Sequence, residues 1–217
     1  MWMPPVEASW GVVLVKADMS SMQEIVRLPV EPLDSIYGAV QSPQLCQLLD
    51  HWIDIRRGRL MPAWRDIDPV LLAPILPNVW SWKYDRGSDS FTGRLAGDRI
   101  NSIVGRSLRQ VPMAEYFKGA DYERIFRRLK HVVTRPTAVL QCGLVFQHEG
   151  HQGFGERLIL PLADDGEHGD GVIGVTTYEL DEGSISRMEI IATTIKGHSK
   201  LVINDKDEQF FPIYRGA

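Results

Sequence analysis

Apolar residues fall into two rhythms along the chain. The first is helical. Leu45, Leu48, Leu49, Trp52, Ile53 and Ile55 recur at mostly three- and four-residue steps, which predicts an amphipathic helix over residues 43–57. Ser42 and Pro43 suit the cap and first helical position, and Gly58 suits the end. Tyr122, Ile125, Phe126, Leu129, Val132 and Val133 repeat the rhythm over 121–133. Asp121 and Glu123 stand at its start, and Arg124, Arg127, Arg128 and Lys130 follow, as the helix dipole favours. Arg135-Pro136 ends it.

The second rhythm is alternation. Trp80, Trp82 and Tyr84 share one face of a strand over 79–84, with Val79, Ser81 and Lys83 on the other. An R-G-S-D turn leads to a second strand over 90–95. Three more are expected over 138–147, 156–162 and 172–180, separated by the turn-forming EGHQG and ADDGEHGDG. Between the two groups lie a short helix over 98–104 and broken helical turns around Pro112. Asp68-Pro69 opens a single helical turn, VLLAP, that Pro74 ends. A short strand over 11–15 and an amphipathic segment over 185–195 are the expectations for the two ends.

This order predicts an α+β domain: one antiparallel sheet of five strands with short helices on one face and a flanking helix before it. The chain divides into an N-terminal extension (1–40), the flanking helix and a Pro-rich connector (41–76), the core (77–182) and a C-terminal extension (183–217). A formal net charge of -4 in 217 residues gives nucleic acid or an anionic membrane no general attraction. No apolar run reaches the roughly 18 residues of a spanning helix. The N-terminus lacks a basic region before its short apolar run, so it does not read as an export signal. Cys46 and Cys142 suggest neither a disulfide framework nor a zinc site, and a cytoplasmic location is expected.

Four short motifs add to this pattern: Arg59-Leu60-Met61-Pro62, Asp66-Ile67-Asp68-Pro69, Arg94-Leu95-Ala96-Gly97 and Gly105-Arg106-Ser107-Leu108. With the strand order over residues 77–180, they make the chain resemble a PAS domain, in particular the small, largely stand-alone bacterial PAS proteins. The resemblance implies a five-stranded antiparallel sheet with helices between strands two and three. It implies sensing or protein–protein signalling without catalysis. The ligand stays open, because PAS domains hold haem, flavins, small acids, lipids or nothing, and fold alone does not choose. The flavin photosensors carry a reactive cysteine in an N-C-R-F-L-Q type segment that this chain lacks; Cys142 falls on a strand.

Other candidate chemistry carries a plainer explanation. Gly169-Asp170-Gly171-Val172-Ile173-Gly174 spells a dinucleotide fingerprint but enters a strand rather than a helix. His148, Glu149 and His151, with Glu156 and His168, sit in or near Gly-rich turns that do not fix a shared face for a metal. His131 is a haem-ligand candidate from its helix, set against its place on the polar side of the wheel. The tryptophans Trp52, Trp64, Trp80 and Trp82 suit helix-on-sheet packing better than a cation cage. Arg124, Arg127, Arg128, Lys130 and Arg135 read as a solvated helix face. Asp66 and Asp68 resemble paired carboxylates, but Asp68 before Pro69 is an ordinary helix start; no Ser/His/Asp set suggests itself, and no catalytic residue or metal site is assigned.

Two structural expectations follow. A ligand, if held, lies between the sheet and the helix over 121–133, with Ile103, Phe126, Leu129 and Leu144 as walls and Arg94 and Asn101 orienting it; the alternative is a closed core with Arg94 in water. No cofactor is specified. The face formed by Leu45, Leu48, Leu49 and Trp52 must be buried, either in a homodimer or against its own sheet with Trp52 on Trp80 or Trp82. The function expected is a non-catalytic sensory or adaptor protein that acts on an unidentified signalling partner. The alternative is a small-molecule or cofactor (haem or flavin) binding protein.

Overall fold

Six strands form among the described residues: Val79–Asp85 (β1), Ser90–Ala96 (β2), Thr137–His148 (β3), His151–Leu162 (β4), Gly171–Asp181 (β5) and Glu208–Pro212 (β6). They pair antiparallel throughout, in the order β2-β1-β5-β4-β3-β6. The helices are Ile36–Ala39 (α1), Pro43–Arg56 (α2), Asp98–Val104 (α3), Met113–Tyr116 (α4) and Gly119–Thr134 (α5). These elements belong to a computed structural model that describes residues 33–148, 151–181 and 208–214. The segments expected over 11–15 and 185–195 lie outside the described residues.

Three of the elements themselves depart from the sequence expectation. Among the described residues the sheet has six strands rather than five, because Glu208–Pro212 pairs along β3 from Thr137–Pro212 to Gln141–Glu208. β4 begins at His151, since the Gly-rich stretch before Glu156 pairs with both β3 and β5 instead of turning. The turn expected at VLLAP forms, with the Ala73 N–H on the Val70 carbonyl at 3.2 Å and Asp68 accepting the Val70 N–H at 2.8 Å, but Pro74 does not end it: it lies near the start of a 3-10 helix, Ala73–Asn78. Proline suits a helix start, where its missing N–H would have no partner anyway.

Helical elements cover both faces of the sheet, not one. On β4, Leu158, Leu160 and Leu162 point to one face and Ile159 to the other, following the strand's period of two. The first face packs against α2: Leu45, Leu48, Leu49 and Trp52 are fully buried with Leu158, Leu160 and Val175. Burial of each large apolar side chain contributes roughly 1.5–3 kcal/mol. The homodimer face expected from the sequence is therefore already covered within the chain. Trp80 and Trp82 project to the opposite face, so Trp52 packs on neither. Its indole N–H instead donates to the Pro161 carbonyl at 2.8 Å.

The connector after α2 is a clasp built from the motif residues. Arg57 and Gly58 take left-handed φ of 49° and 75° to end the helix. Asp66 accepts the Ala63 N–H at 2.9 Å and pairs with Arg59. The Asp68 N–H donates to Nε2 of the buried His51 at 3.1 Å. Burial pushes the Asp66 carboxyl up, but the Ala63 amide and Arg59 outweigh it, and the net direction is down.

In the R-L-A-G segment the register of β1 and β2 steps from Ser81–Leu95 to Trp82–Gly93, leaving Arg94 as the extra residue of a bulge. Its guanidinium lies 4.3 Å from the centre of the Trp64 ring. No helix among the described residues is long and apolar enough to cross a membrane.

Candidate functional site

Between the second face of the sheet and α3–α5 lies a cavity of about 610 Å³. Trp80 and Trp82 rise into it from β1, where alternation gives them a shared face. Ile103 from α3, Ile125 and Leu129 from α5, and Leu144 and Phe146 from β3 supply further apolar wall. Gly174 on β5 makes this wall possible, since a Cβ there would sit 2.4 Å from the Trp80 ring. The Trp80 indole then donates to Thr176 Oγ1 at 2.8 Å.

The polar part of the cavity gathers around Arg157. On β4 this residue takes the cavity side while its neighbour Glu156 takes the α2 side. Arg157 Nε donates to Thr176 Oγ1 at 3.0 Å, one terminal nitrogen reaches Gln141 Oε1 at 3.4 Å, and the other donates to the Val145 carbonyl. All three acceptors are neutral. Burial, first, and then the charges of Arg128 and Arg124 lower its pKa to about 9. Its surroundings thus oppose a positive charge, the direction expected for a desolvated cation beside like charges.

Two further arginines reach the cavity from α5, at positions 124 and 128, one helical turn apart. Arg124 pairs with Asp121 at 2.7 Å. Arg128 pairs with Glu208 of β6, and both side chains are largely covered, at 8% and 11% exposure. With Lys118, four cationic residues and two acidic ones line the space. The Tyr116 ring closes one side; its buried hydroxyl has no hydrogen-bond partner among the described residues, and burial raises its pKa.

Of the ligand residues expected from sequence, Ile103, Leu129 and Leu144 line this cavity. Phe126 does not: it packs on Phe91 and Tyr122 beside it. Asn101 is a structural clip, donating to the Ala96 carbonyl at 2.9 Å and accepting the Leu108 N–H at 3.2 Å. Arg94 is on the other side of the sheet, over Trp64. The α5 arginines expected in solvent split, because Arg124 and Arg128 turn to the cavity.

His131 sits with its ring 5.3 Å from that of Phe210, away from the cavity wall, so it offers no axial position to a haem there. Glu156 is committed to the amides that open α2, and His168 pairs with Asp165 at 2.7 Å; Glu149 lies outside the described residues. Among the described residues no group of three or more potential metal ligands converges. Gly171 opens strand β5, and Asp170 accepts the Trp64 indole N–H at 2.7 Å, so the glycine pattern serves a turn.

Sequence reasoning missed Arg157, Arg128 and Glu208. A signal for Arg157 was present: the apolar stretch RLILPL begins with a lone arginine on the alternation frame of Ile159. Arg124 and Arg128 directly precede Ile125 and Leu129, which sets them on the edge of the apolar stripe.

The family model described as "PAS domain" matches residues 40–177, more than half of the chain and including α2. Neither a curated protein nor a solved structure matches it at a significant level.

Proposed function

Since the chain belongs to the PAS domain family, we propose that it is a non-catalytic cytoplasmic sensory domain, regulated by a small molecule in its cavity, whose signal leaves by contact with another protein. The observation that carries this reading is the cavity itself. At about 610 Å³ it falls within the roughly 300–1,000 Å³ of ordinary ligand sites, and it joins apolar walls to a few convergent polar groups. A closed core would be filled to crystal-like density instead. Where the output uses a second copy of the chain, the contact runs over a surface other than Leu45, Leu48, Leu49 and Trp52, which its own sheet covers.

The test is native mass spectrometry of the purified full chain, with its visible absorbance spectrum. A small molecule that stays bound under native conditions and leaves on denaturation is the expected result. Leu144→Trp, which fills the cavity from β3, should lose that mass while keeping the circular dichroism of the wild type. A colourless bound mass supports a metabolite, and a visible band supports the alternative of a haem or flavin carrier. A wild-type chain that neither carries nor takes up any small molecule overturns the proposal.

A further inference from the structure

The charges around the cavity are unequally matched. Arg124 has Asp121, and Arg128 has Glu208. Arg157 has no carboxylate partner among the described residues: its acceptors are a threonine hydroxyl, a glutamine amide and a backbone carbonyl. Those bonds use three of its five N–H groups. A charge removed from water is expensive unless it is paired, and a guanidinium has the planar fork that suits a carboxylate. The rest of the wall is mainly aromatic and aliphatic, from Trp82, Ile103, Leu129 and Leu144.

Resting on the proposed ligand-binding role of this cavity, we infer that its occupant is an amphipathic organic acid, with one carboxylate seated on Arg157 and an apolar body along the Trp82, Ile103 and Leu144 wall. Lys118, the other cation without a carboxylate among the described residues, is exposed and donates to the Ala114 carbonyl, so one buried unmatched cation is left and calls for one negative charge. A multiply charged anion would have to strip its remaining hydration against apolar walls. Glu208, Arg128 and Arg157 line the same space, and Glu208 pairs with Arg128 there. The incoming carboxylate therefore competes with Glu208 for the arginine pair. Glu208 is the first residue of β6, the edge strand, so this exchange loosens the strand's attachment to α5 and carries occupancy to the sheet edge.

The experiment is isothermal titration calorimetry of the full chain with straight-chain acids from hexanoate to dodecanoate and phenylalkanoates, each beside its primary amide. At least one acid should bind, with its amide weaker by roughly tenfold or more, the scale of a charge-assisted hydrogen bond. Arg157→Gln should abolish the acid-over-amide preference. If that variant fails to fold, the wild-type comparison of acid and amide still decides the question. Glu208→Gln should tighten acid binding severalfold without changing amide binding, and amide hydrogen exchange at Phe210 and Phe211 should quicken on binding the acid. Equal affinity for acid and amide overturns the inference while leaving the cavity's sensory role standing. A bound neutral or cationic molecule, with no acid binding, does the same. Unchanged acid affinity in Glu208→Gln overturns the exchange, and a chain that takes up nothing overturns both proposals.

Discussion

Glu156 on β4 accepts the backbone N–H of Ser42 at 2.7 Å, so the first turn of α2 is capped by a carboxylate 114 residues further along the chain. The Gln41 N–H bonds to the same group, at 3.1 and 3.2 Å from its two oxygens. Ser42, the expected cap, makes no side-chain cap bond itself. A negative charge at a helix N-terminus satisfies otherwise unpartnered amides and matches the dipole.

Glu156→Gln keeps an acceptor and loses the charge, and should lower stability by about 1 kcal/mol. Glu156→Ala removes the acceptor of the Ser42 and Gln41 N–H groups as well as the charge and should cost about 2 kcal/mol or more. Urea denaturation of the two variants checks the order. Equal losses would mean that the neutral acceptor kept by Gln contributes nothing, and no loss in Glu156→Gln would mean that the charge contributes nothing to the cap.

Trp52→Phe removes the bond to the Pro161 carbonyl and part of a fully buried side chain. A loss of about 2 kcal/mol is expected. Because Trp52 packs on the face opposite the cavity, ligand affinity should stay unchanged. Leu48→Glu should likewise act by unfolding the chain, seen as a lost thermal transition, and not by changing the mass of a folded particle in light scattering.

Tyr116→Phe should be neutral or stabilising, by up to about 1 kcal/mol, since the hydroxyl it removes is buried without a partner among the described residues. A clear loss in the thermal midpoint would show that this hydroxyl has a partner in solution.

Stability should decline as pH falls below about 6.5, through two histidines. Burial lowers the pKa of His51, with Asp68 and Asp54 opposing weakly, and burial and Arg135 lower that of His131. In each case the unfolded chain binds the proton at a higher pH than the native one. Stability is therefore fully present above about 6.5 and is lost as pH falls towards the depressed native values. Protonation of His51 Nε2 also removes the acceptor for the Asp68 N–H. His51→Gln should flatten part of the decline in urea midpoint between about pH 6.5 and 5.5; an unchanged slope would assign it to His131 or elsewhere.

Local periodicity made much of this protein legible from sequence. Leu45 to Trp52 and Tyr122 to Val133 announce α2 and α5, and Trp80, Trp82 and Tyr84 announce β1, because each pattern needs only a few neighbouring residues. The strand order and the three apolar residues Ile103, Leu129 and Leu144 of the cavity wall follow from the same patterns. What tertiary structure alone decided concerns partners far apart in the chain. A helical wheel gives the angle between Arg124 and Arg127 but not which of them the sheet will face. Glu156 and Arg157 are adjacent in sequence, yet the pleat sends one to α2 and the other to the cavity, and only the neighbouring layers give those directions different chemistry. β6 is five residues with little alternation, and it becomes a strand because β3 presents an open edge for it to pair with. The Arg128–Glu208 pair across the cavity wall depends on that docking, and no spacing in the chain encodes it.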